Sequence, residues 1–188
     1  MNGGASEYEA IRNIVHDAGS DDKLADILCS LLRFMQMKQW IGACHATTAV
    51  MYVALSESGF APRCCIGEVF DNMFTLFDHS WIELDGKIID LACAMTLLGN
   101  GNPISAPIVL DVDTYSGGKY DMDYGVYKYG LGLEAQMVME SPFVQFMDAY
   151  PDSPNGLWDI VGVVLGKKLD IDEMRKKYAT AHFDYIRK

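Results

Sequence analysis

The sequence predicts one α+β domain, in which helices lie on both sides of a central run of strands. Apolar residues recur at helical spacing between positions 7 and 58, and strand-forming runs flank an Asp85-Gly86 pair in the middle of the chain. Helical patterns return between about 142 and 188 as a C-terminal elaboration. At 188 residues the chain is long enough to bury its own core, so we expect a single domain over 1-188.

Three helices are predicted before the strands. The first covers Glu7 to Asp17 and is closed by Gly19, and Ser20 is expected to cap the second. The third covers Cys44 to Ser58, with an apolar stripe and a stop at Gly59. A cysteine is therefore expected in the first turn of a helix that packs on the core.

An antiparallel hairpin is predicted after the third helix. Arg63 to Phe70 is rich in strand formers, and Phe74 to Leu84 leads into Asp85-Gly86 and then Lys87 to Leu91. Asp-Gly between such runs is typical of a two-residue turn. That turn would place Leu84, Glu83, Ile82 and Trp81 opposite Lys87, Ile88, Ile89 and Asp90, respectively.

This register decides which side chains share a face of the hairpin. Since side chains alternate along a strand, His79 and Trp81 would lie on the same face as Asp90. His79 would stand diagonal to Asp90, at about 7–8 Å between backbones, which an imidazole and a carboxylate can bridge.

The second half of the chain gives weaker signals. Ile108 to Val112 is predicted as a strand, and the Tyr- and Gly-rich segment 115-132 has no assigned role, although packing is favoured for the tyrosines between Tyr120 and Tyr129. The predicted C-terminal helices are Pro142 to Tyr150, Asn155 to Leu165 and Asp170 to Ile186, the last with Asp170 and Glu173 in capping-box positions.

Composition and charge exclude several classes of function. The net charge of -11 disfavours nucleic acid and anionic lipid as partners. The apolar runs are shorter than the ~20 residues of a spanning helix, so no membrane segment is expected. Five cysteines without regular spacing, and an N-terminus unlike a signal peptide, favour a reducing, cytoplasmic setting.

Cys44, His79 and Asp90 form a candidate catalytic triad. A helix N-terminus lowers the pKa of a thiol from its usual value near ~8.5, and His79 could then form a thiolate–imidazolium pair with Cys44. Asp90 would orient the ring of His79. Such a thiolate attacks a carbonyl carbon and becomes a thioester, so the pattern predicts acyl transfer.

Further residues are candidates for holding the oxyanion or positioning the substrate. The backbone N–H groups of Cys44 and His45 lie at the helix start, where an oxyanion would be stabilised. Gln36 or Gln39 could add a side-chain donor, and nothing in the sequence chooses between them. Trp81 is interpreted as a wall of the site or as core. No cofactor is expected, and no metal, because the adjacent Cys64 and Cys65 would point to opposite faces of a strand.

These segments resemble the transglutaminase-like superfamily of papain-like cysteine enzymes. The resemblance rests on Gly42-Ala43-Cys44, on His79-Ser80-Trp81-Ile82-Glu83 and on Ile89-Asp90, and also on the passage from Ala54 through Gly59 to Pro62-Arg63. It covers a core at about 40-92. His45 and Ser80 depart from the commonest pattern, in which an aromatic residue follows the cysteine and alanine follows the histidine.

The resemblance implies a papain-like fold with Cys44 as nucleophile, His79 as general base and acid, and Asp90 as the orienter of the histidine. We expect hydrolysis of a peptide or amide bond in a peptide, protein or small amide substrate. Two alternatives stay open: a transglutaminase or acyltransferase with an amine acceptor, and an inactive transglutaminase-like binding module. The sequence does not indicate the substrate or the oligomeric state.

Overall fold

Helices pack against one face of a curled, mainly antiparallel sheet, which makes the fold α+β as expected. The computed structural model describes residues 6–71, 75–96 and 104–188. Its helices are α1 (Glu7–Asp17), α2 (Asp22–Lys38), α3 (Cys44–Glu57), α4 (Leu133–Glu140), α5 (Phe143–Asp148), α6 (Leu157–Leu165) and α7 (Ile171–Lys177). Its strands are β1 (Arg63–Phe70), β2 (Leu76–Leu84), β3 (Lys87–Ile89), β4 (Ile108–Val109), β5 (Val112–Asp113), β6 (Asp123–Val126) and β7 (Asp184–Tyr185).

The first three helices confirm the predicted order. Ser6 and Glu9 form a capping box at the start of α1. Helix α2 begins one residue later than expected, because the side chain of Asp21, and not that of Ser20, accepts the free N–H of Lys23. Helix α3 begins at Cys44, as predicted, and ends before Gly59.

The hairpin has the predicted register. Ile82 pairs with Ile89, Glu83 with Ile88 and Leu84 with Lys87. Asp85 and Gly86 both have positive φ, at 52° and 75°, as a type I′ turn requires. Strand β2 begins at Leu76 among the described residues, and the expected start at Phe74 lies outside them.

The ladder between β2 and β3 stops one pair earlier than expected. Asp90 does not pair with Trp81; its backbone instead exchanges two hydrogen bonds of 2.8 Å with Ile108. The chain then turns into a short 3-10 helix, Ala92–Met95. This early departure of β3 leaves the middle of β2 accessible to other elements.

The sheet has the strand order β3-β2-β1-β6, and β7 runs parallel to β1. Its two faces contact different apolar clusters. Ile66, Ile82 and Ile89 belong to the main core under the helices, whereas Cys65, Trp81 and Ile88 belong to a smaller cluster with Tyr124. Cys64 and Cys65 are accordingly in different clusters, as the alternation predicts.

The second half departs from the predictions in four places, one of which is strand β6 in a segment without a predicted element. The expected strand Ile108 to Val112 reverses at Leu110 and Asp111, which both have positive φ, and it forms the pair β4 and β5. The last helix, expected to reach Ile186, ends at Lys177, and residues 184–185 add strand β7 to β1. Helix α4 was not predicted.

None of the helices in the described residues is both long enough and apolar enough to cross a membrane.

Candidate active site

The candidate site lies beside β2, beyond the point where β3 stops. His79 is three residues before Ile82, the last β2 residue that pairs with β3. The start of α3 and the 3-10 helix meet there, because the N–H of Gly42 donates to the carbonyl of Met95 at 2.8 Å. Gly42 has φ 71°, a conformation that favours glycine. Strand β2, the start of α3 and the 3-10 helix therefore meet around His79, beyond the end of β3.

His79 and Asp90 form a buried, hydrogen-bonded pair. Nε2 of His79 lies 2.7 Å from Oδ2 of Asp90, and both side chains are almost fully buried. The diagonal neighbours of the hairpin register are thus in contact. Because Nε2 is held by the carboxylate, Nδ1 is the ring nitrogen left for a second partner.

The carboxylate of Asp90 accepts three further hydrogen bonds. The hydroxyl of Tyr124 donates to Oδ2 at 2.7 Å, and the N–H groups of Ala92 and Cys93 donate to Oδ1 at 2.9 and 3.2 Å. Burial opposes ionisation, but the charge of His79 and these donors outweigh it and lower the pKa of Asp90. Asp90 is therefore a fixed negative charge against the ring of His79.

Cys44 is the first residue of α3 and is partly buried. Burial opposes ionisation of its thiol, but hydrogen bonds with His45 and His79 and the positive charge of those rings lower its pKa to about 5. In His79, burial disfavours the cation, whereas the charge of Asp90 and the hydrogen bonds to Asp90 and Cys44 raise the pKa to about 10. A thiolate–imidazolium pair is the favoured state between these two values.

The other four cysteines lack this electrostatic support. Burial raises the pKa of Cys29, and it raises that of Cys65 to about 12. The pKa values of Cys64 and Cys93 are also raised well above the usual range by burial. Cys44 is the cysteine whose pKa is lowered, among the residues that the structure describes.

His45 gives the thiol a second neighbouring imidazole. Its Nδ1 lies 2.7 Å from the hydroxyl oxygen of Ser80. Both residues depart from the commonest pattern of the resembled superfamily, and they contact each other. Ser80 therefore fixes the ring of His45 next to Cys44.

These groups line a cavity of about 210 Å³. Its lining comprises Gly42, Cys44, His45, Phe77, Asp78, His79, Ala92, Met95, Thr96, Glu134 and Ala135. Two residues of the expected triad, Cys44 and His79, thus line the same cavity. Asp90 lies behind His79 and is not part of the lining.

The start of α3 lacks a side-chain cap within the described ranges. The first N–H groups of a helix have no partner within the helix, and no side chain of the described residues caps α3 at Ala43. The role of the Cys44 and His45 N–H groups as oxyanion donors stays a prediction.

The two glutamines do not reach the cavity lining. Gln36 is turned toward α1, where it accepts from the hydroxyl of Tyr8 and donates to Glu7 at 2.7 Å. Gln39 is the exposed C-cap of α2, with φ 48°. Trp81 is fully buried, with its ring 5.0 Å from that of Tyr124, and it is core beneath the site and not a wall of it.

Several residues of the site were not predicted. Tyr124 lies in the Tyr- and Gly-rich segment on strand β6, where Met122, Tyr124 and Val126 alternate as a short strand would. Helix α4 brings Glu134 and Ala135 to the cavity, and its N-cap Gly132 donates its N–H to Asp78 at 2.8 Å. A Cβ at position 132 would lie 2.9 Å from that carboxylate.

Loop 128–130 is held in place before α4 begins. The buried carboxylate of Glu68 accepts the N–H groups of Lys128, Tyr129 and Gly130, each at 3.0 Å. Tyr120 and Tyr124 pack in the smaller cluster, whereas Tyr127 and Tyr129 are exposed, so the packing role expected for these tyrosines applies to two of them.

Within the described ranges, no group of three or more His, Cys, Asp or Glu side chains is arranged to hold a metal ion. Comparisons with known proteins give no matching family model, no similar curated protein and no similar solved structure. The resemblance to the transglutaminase-like superfamily therefore rests on the short sequence motifs alone and stays a prediction.

Proposed function

We propose that this protein is a cysteine-nucleophile acyl-transfer enzyme that hydrolyses a peptide or amide bond through a thioester on Cys44. The observation that carries the proposal is the thiol of the partly buried Cys44, with its pKa lowered to about 5, in one cavity with a His79 that is hydrogen-bonded to Asp90. Perturbed titratable groups that converge in a cavity are typical of active sites.

The first half of the proposed reaction forms the thioester. The Cys44 thiolate attacks the amide carbonyl carbon, and the carbonyl oxygen takes the negative charge beside the N–H groups of Cys44 and His45. His79 then gives its Nδ1 proton to the departing nitrogen as the carbon–nitrogen bond breaks. An amine leaves, and the acyl group stays on sulfur.

The second half releases the acid. The oxygen of a water molecule attacks the thioester carbon, and neutral His79 accepts a proton from that water molecule. The carbon–sulfur bond breaks, and Cys44 returns to the thiolate beside a cationic His79. Asp90 keeps its charge throughout and holds Nε2 of His79, so that Nδ1 faces the reaction.

The structure favours this proposal over an inactive binding module. A degenerate scaffold is expected to have the two groups apart or the cleft filled by C-terminal helices. Here Cys44 and His79 line the same cavity, and α4 contributes Glu134 and Ala135 to its wall without filling it.

The test is a comparison of Cys44→Ala with Cys29→Ala, a matched variant at a cysteine buried between α1 and α2. Hydrolysis of a p-nitrophenyl ester and of a casein peptide mixture should fall by at least about 10³-fold in Cys44→Ala, because removing the nucleophile leaves only binding and oxyanion stabilisation. Cys29→Ala should keep its turnover per folded molecule. Full turnover in Cys44→Ala, with the unfolding midpoint unchanged, would overturn the proposal.

A further inference from the structure

A second cavity opens from the candidate active site on the side of the α3 start. It has a volume of about 270 Å³ and shares Gly42, His45 and Glu134 with the first cavity. We call it the side cavity. It is lined by Gly42, Ala43, His45, Ala46, Glu134, Val138, Phe146, Ala149, Tyr150, Pro151 and Leu157.

The lining of the side cavity is mainly apolar. Val138 and Leu157 form buried parts of the wall, while Phe146 and Tyr150 contribute aromatic rings that pack on the core. A surface of this kind, beside a few polar groups, is typical of a pocket for an organic group of the substrate. The part of this wall that comes from α4 to α6 lies outside the segments that carry the family resemblance.

Glu134 stands where the two cavities meet. Its side chain is exposed, and within the described part of the chain it has no hydrogen bond or ion pair. It is the negatively charged member of the side-cavity lining. The charge of this carboxylate attracts a cation on a substrate that is bound in the cavities.

Large apolar side chains are exposed next to both cavities. Leu133 and Met137 lie on α4 beside the lining residues, at 76% and 62% exposure, and Ile41 precedes Gly42 at 48%. Side chains four residues apart on a helix share a face, so Leu133 and Met137 form one apolar strip. These exposed side chains extend the apolar surface of the cavities toward the rest of a longer substrate.

We propose that the substrate carries a bulky apolar group on its acyl side, which occupies the side cavity, and a positive charge next to it, which faces Glu134. This inference rests on the proposed function. The acyl side is assigned because the departing nitrogen must lie toward His79, which protonates it, whereas the side cavity is lined by Gly42, Ala43 and His45 and not by His79. The acyl group therefore extends away from His79, toward the side cavity.

The test uses three chloromethyl ketones: N-acetyl-glycyl, N-acetyl-phenylalanyl and free-amino phenylalanyl. In each, the Cys44 thiolate forms a carbon–sulfur bond and displaces chloride. Iodoacetamide, which reaches the thiol without needing a pocket, is the reference, and every rate at pH 6 is divided by the iodoacetamide rate. At that pH an α-amino group is mostly protonated.

The N-acetyl-phenylalanyl reagent should label Cys44 about tenfold faster than the glycyl reagent, since burying a benzyl group is worth at least a factor of ten. The free amino group should add roughly two- to fivefold through Glu134. Equal rates for the glycyl and phenylalanyl reagents would overturn the assignment of the side cavity.

Two variants, each with a matched control, assign these effects to particular residues. Ala149→Trp fills the side cavity from an exposed position and should remove most of the phenylalanyl advantage; Ala179→Trp, at an exposed alanine outside both linings, should not. Glu134→Gln should remove the amino-group advantage, whereas Glu140→Gln on the same helix should keep it. An unchanged preference in Ala149→Trp or in Glu134→Gln would overturn the corresponding half of the inference.

Failure of the inference is distinguishable from failure of the proposed function. If iodoacetamide labels Cys44 no faster than the other cysteines, the reactive thiol itself is absent. If iodoacetamide labels Cys44 selectively but the three ketones do not differ, only the substrate inference fails. An apolar preference confined to the leaving group of amide substrates would also overturn it.

Discussion

The lowered pKa of Cys44 results from neighbours that stabilise its anion. His45 and His79 hydrogen-bond to the sulfur, and Asp90 keeps His79 charged, so the free energy of ionisation falls despite burial. Among the described residues, Cys64 and Cys93 are buried without a neighbouring imidazole, and burial raises their pKa values. The pKa of a buried thiol can thus rise or fall, depending on which charged groups face the sulfur.

Alkylation of Cys44 by iodoacetamide should be nearly independent of pH from about 6 to 9 and should fall below a midpoint near pH 5. The sign follows from the lowered pKa: the thiolate is lost only as the pH falls through about 5, and not as it falls through the usual value of ~8.5. Peptide mass spectrometry of all five cysteines measures this. A Cys44 midpoint near 8.5 would contradict the account.

Tyr124→Phe should move that midpoint upward. Loss of the hydroxyl that donates to Asp90 removes one of the interactions that lower the pKa of Asp90, so Asp90 competes more strongly with His79 for the shared proton and less positive charge stays beside the sulfur. We expect a shift of about half a pH unit, which corresponds to ~0.7 kcal/mol. Tyr120→Phe is the matched control, because Tyr120 packs on Tyr124 at 5.4 Å and does not bond to Asp90. Equal shifts in both variants would refute the role of the Tyr124 hydroxyl.

The hairpin and the three N-terminal helices were predictable because their signals are local. The Asp85-Gly86 turn fixes the register, and the register places His79 diagonal to Asp90. The end of β3 was harder to predict, since it depends on Asp90 pairing with Ile108, a residue 18 positions away (108 − 90). Side-chain periodicity carries no information about such a partner.

The structure of the segment after β5 could not be predicted from the sequence, because it depends on contacts with distant residues. Glu68 on β1 holds loop 128–130, and Asp78 on β2 binds Gly132 at the start of α4. Both carboxylates come from the sheet. Helix α4 is short, and its two cavity residues, Glu134 and Ala135, form no recognisable sequence motif.

Glu68→Gln should destabilise the fold by about 1–3 kcal/mol, because it weakens three hydrogen bonds to one buried carboxylate. Urea unfolding followed by circular dichroism measures the loss. Glu140→Gln, at an exposed carboxylate on α4, should change stability by less than about 0.5 kcal/mol. If Glu68→Gln were as stable as Glu140→Gln, the anchoring of the loop by Glu68 would be refuted.

The fold positions the site by combining parts from both halves of the chain. Cys44 comes from α3, His79 from β2, Tyr124 from β6 and Glu134 from α4. The sequence motifs cover the first two of these elements, so the pairing of Cys44 with His79 could be predicted, whereas the contribution of α4 to the cavity wall could not. In our proposal, that wall selects the substrate.

The proposed thioester has two acceptors available, water and an amine. Since Cys44 and several other lining residues are partly exposed, bulk water reaches the cavity, and we expect water to be the main acceptor. Adding a small primary amine such as methylamine during turnover of a peptide substrate separates the two outcomes. Acid should remain the main product; amide formed at the expense of acid would favour the transferase alternative.

The acyl-enzyme itself is the most direct test of the account. Brief mixing with a p-nitrophenyl acyl ester at pH 6, followed by acid quenching and mass spectrometry, should find one acyl group on Cys44 that neutral hydroxylamine removes. Cys44→Ala should lack this hydroxylamine-sensitive adduct. Acyl groups found only on lysines, or a thioester on Cys29, Cys64, Cys65 or Cys93 and not on Cys44, would contradict the assignment of Cys44 as the nucleophile.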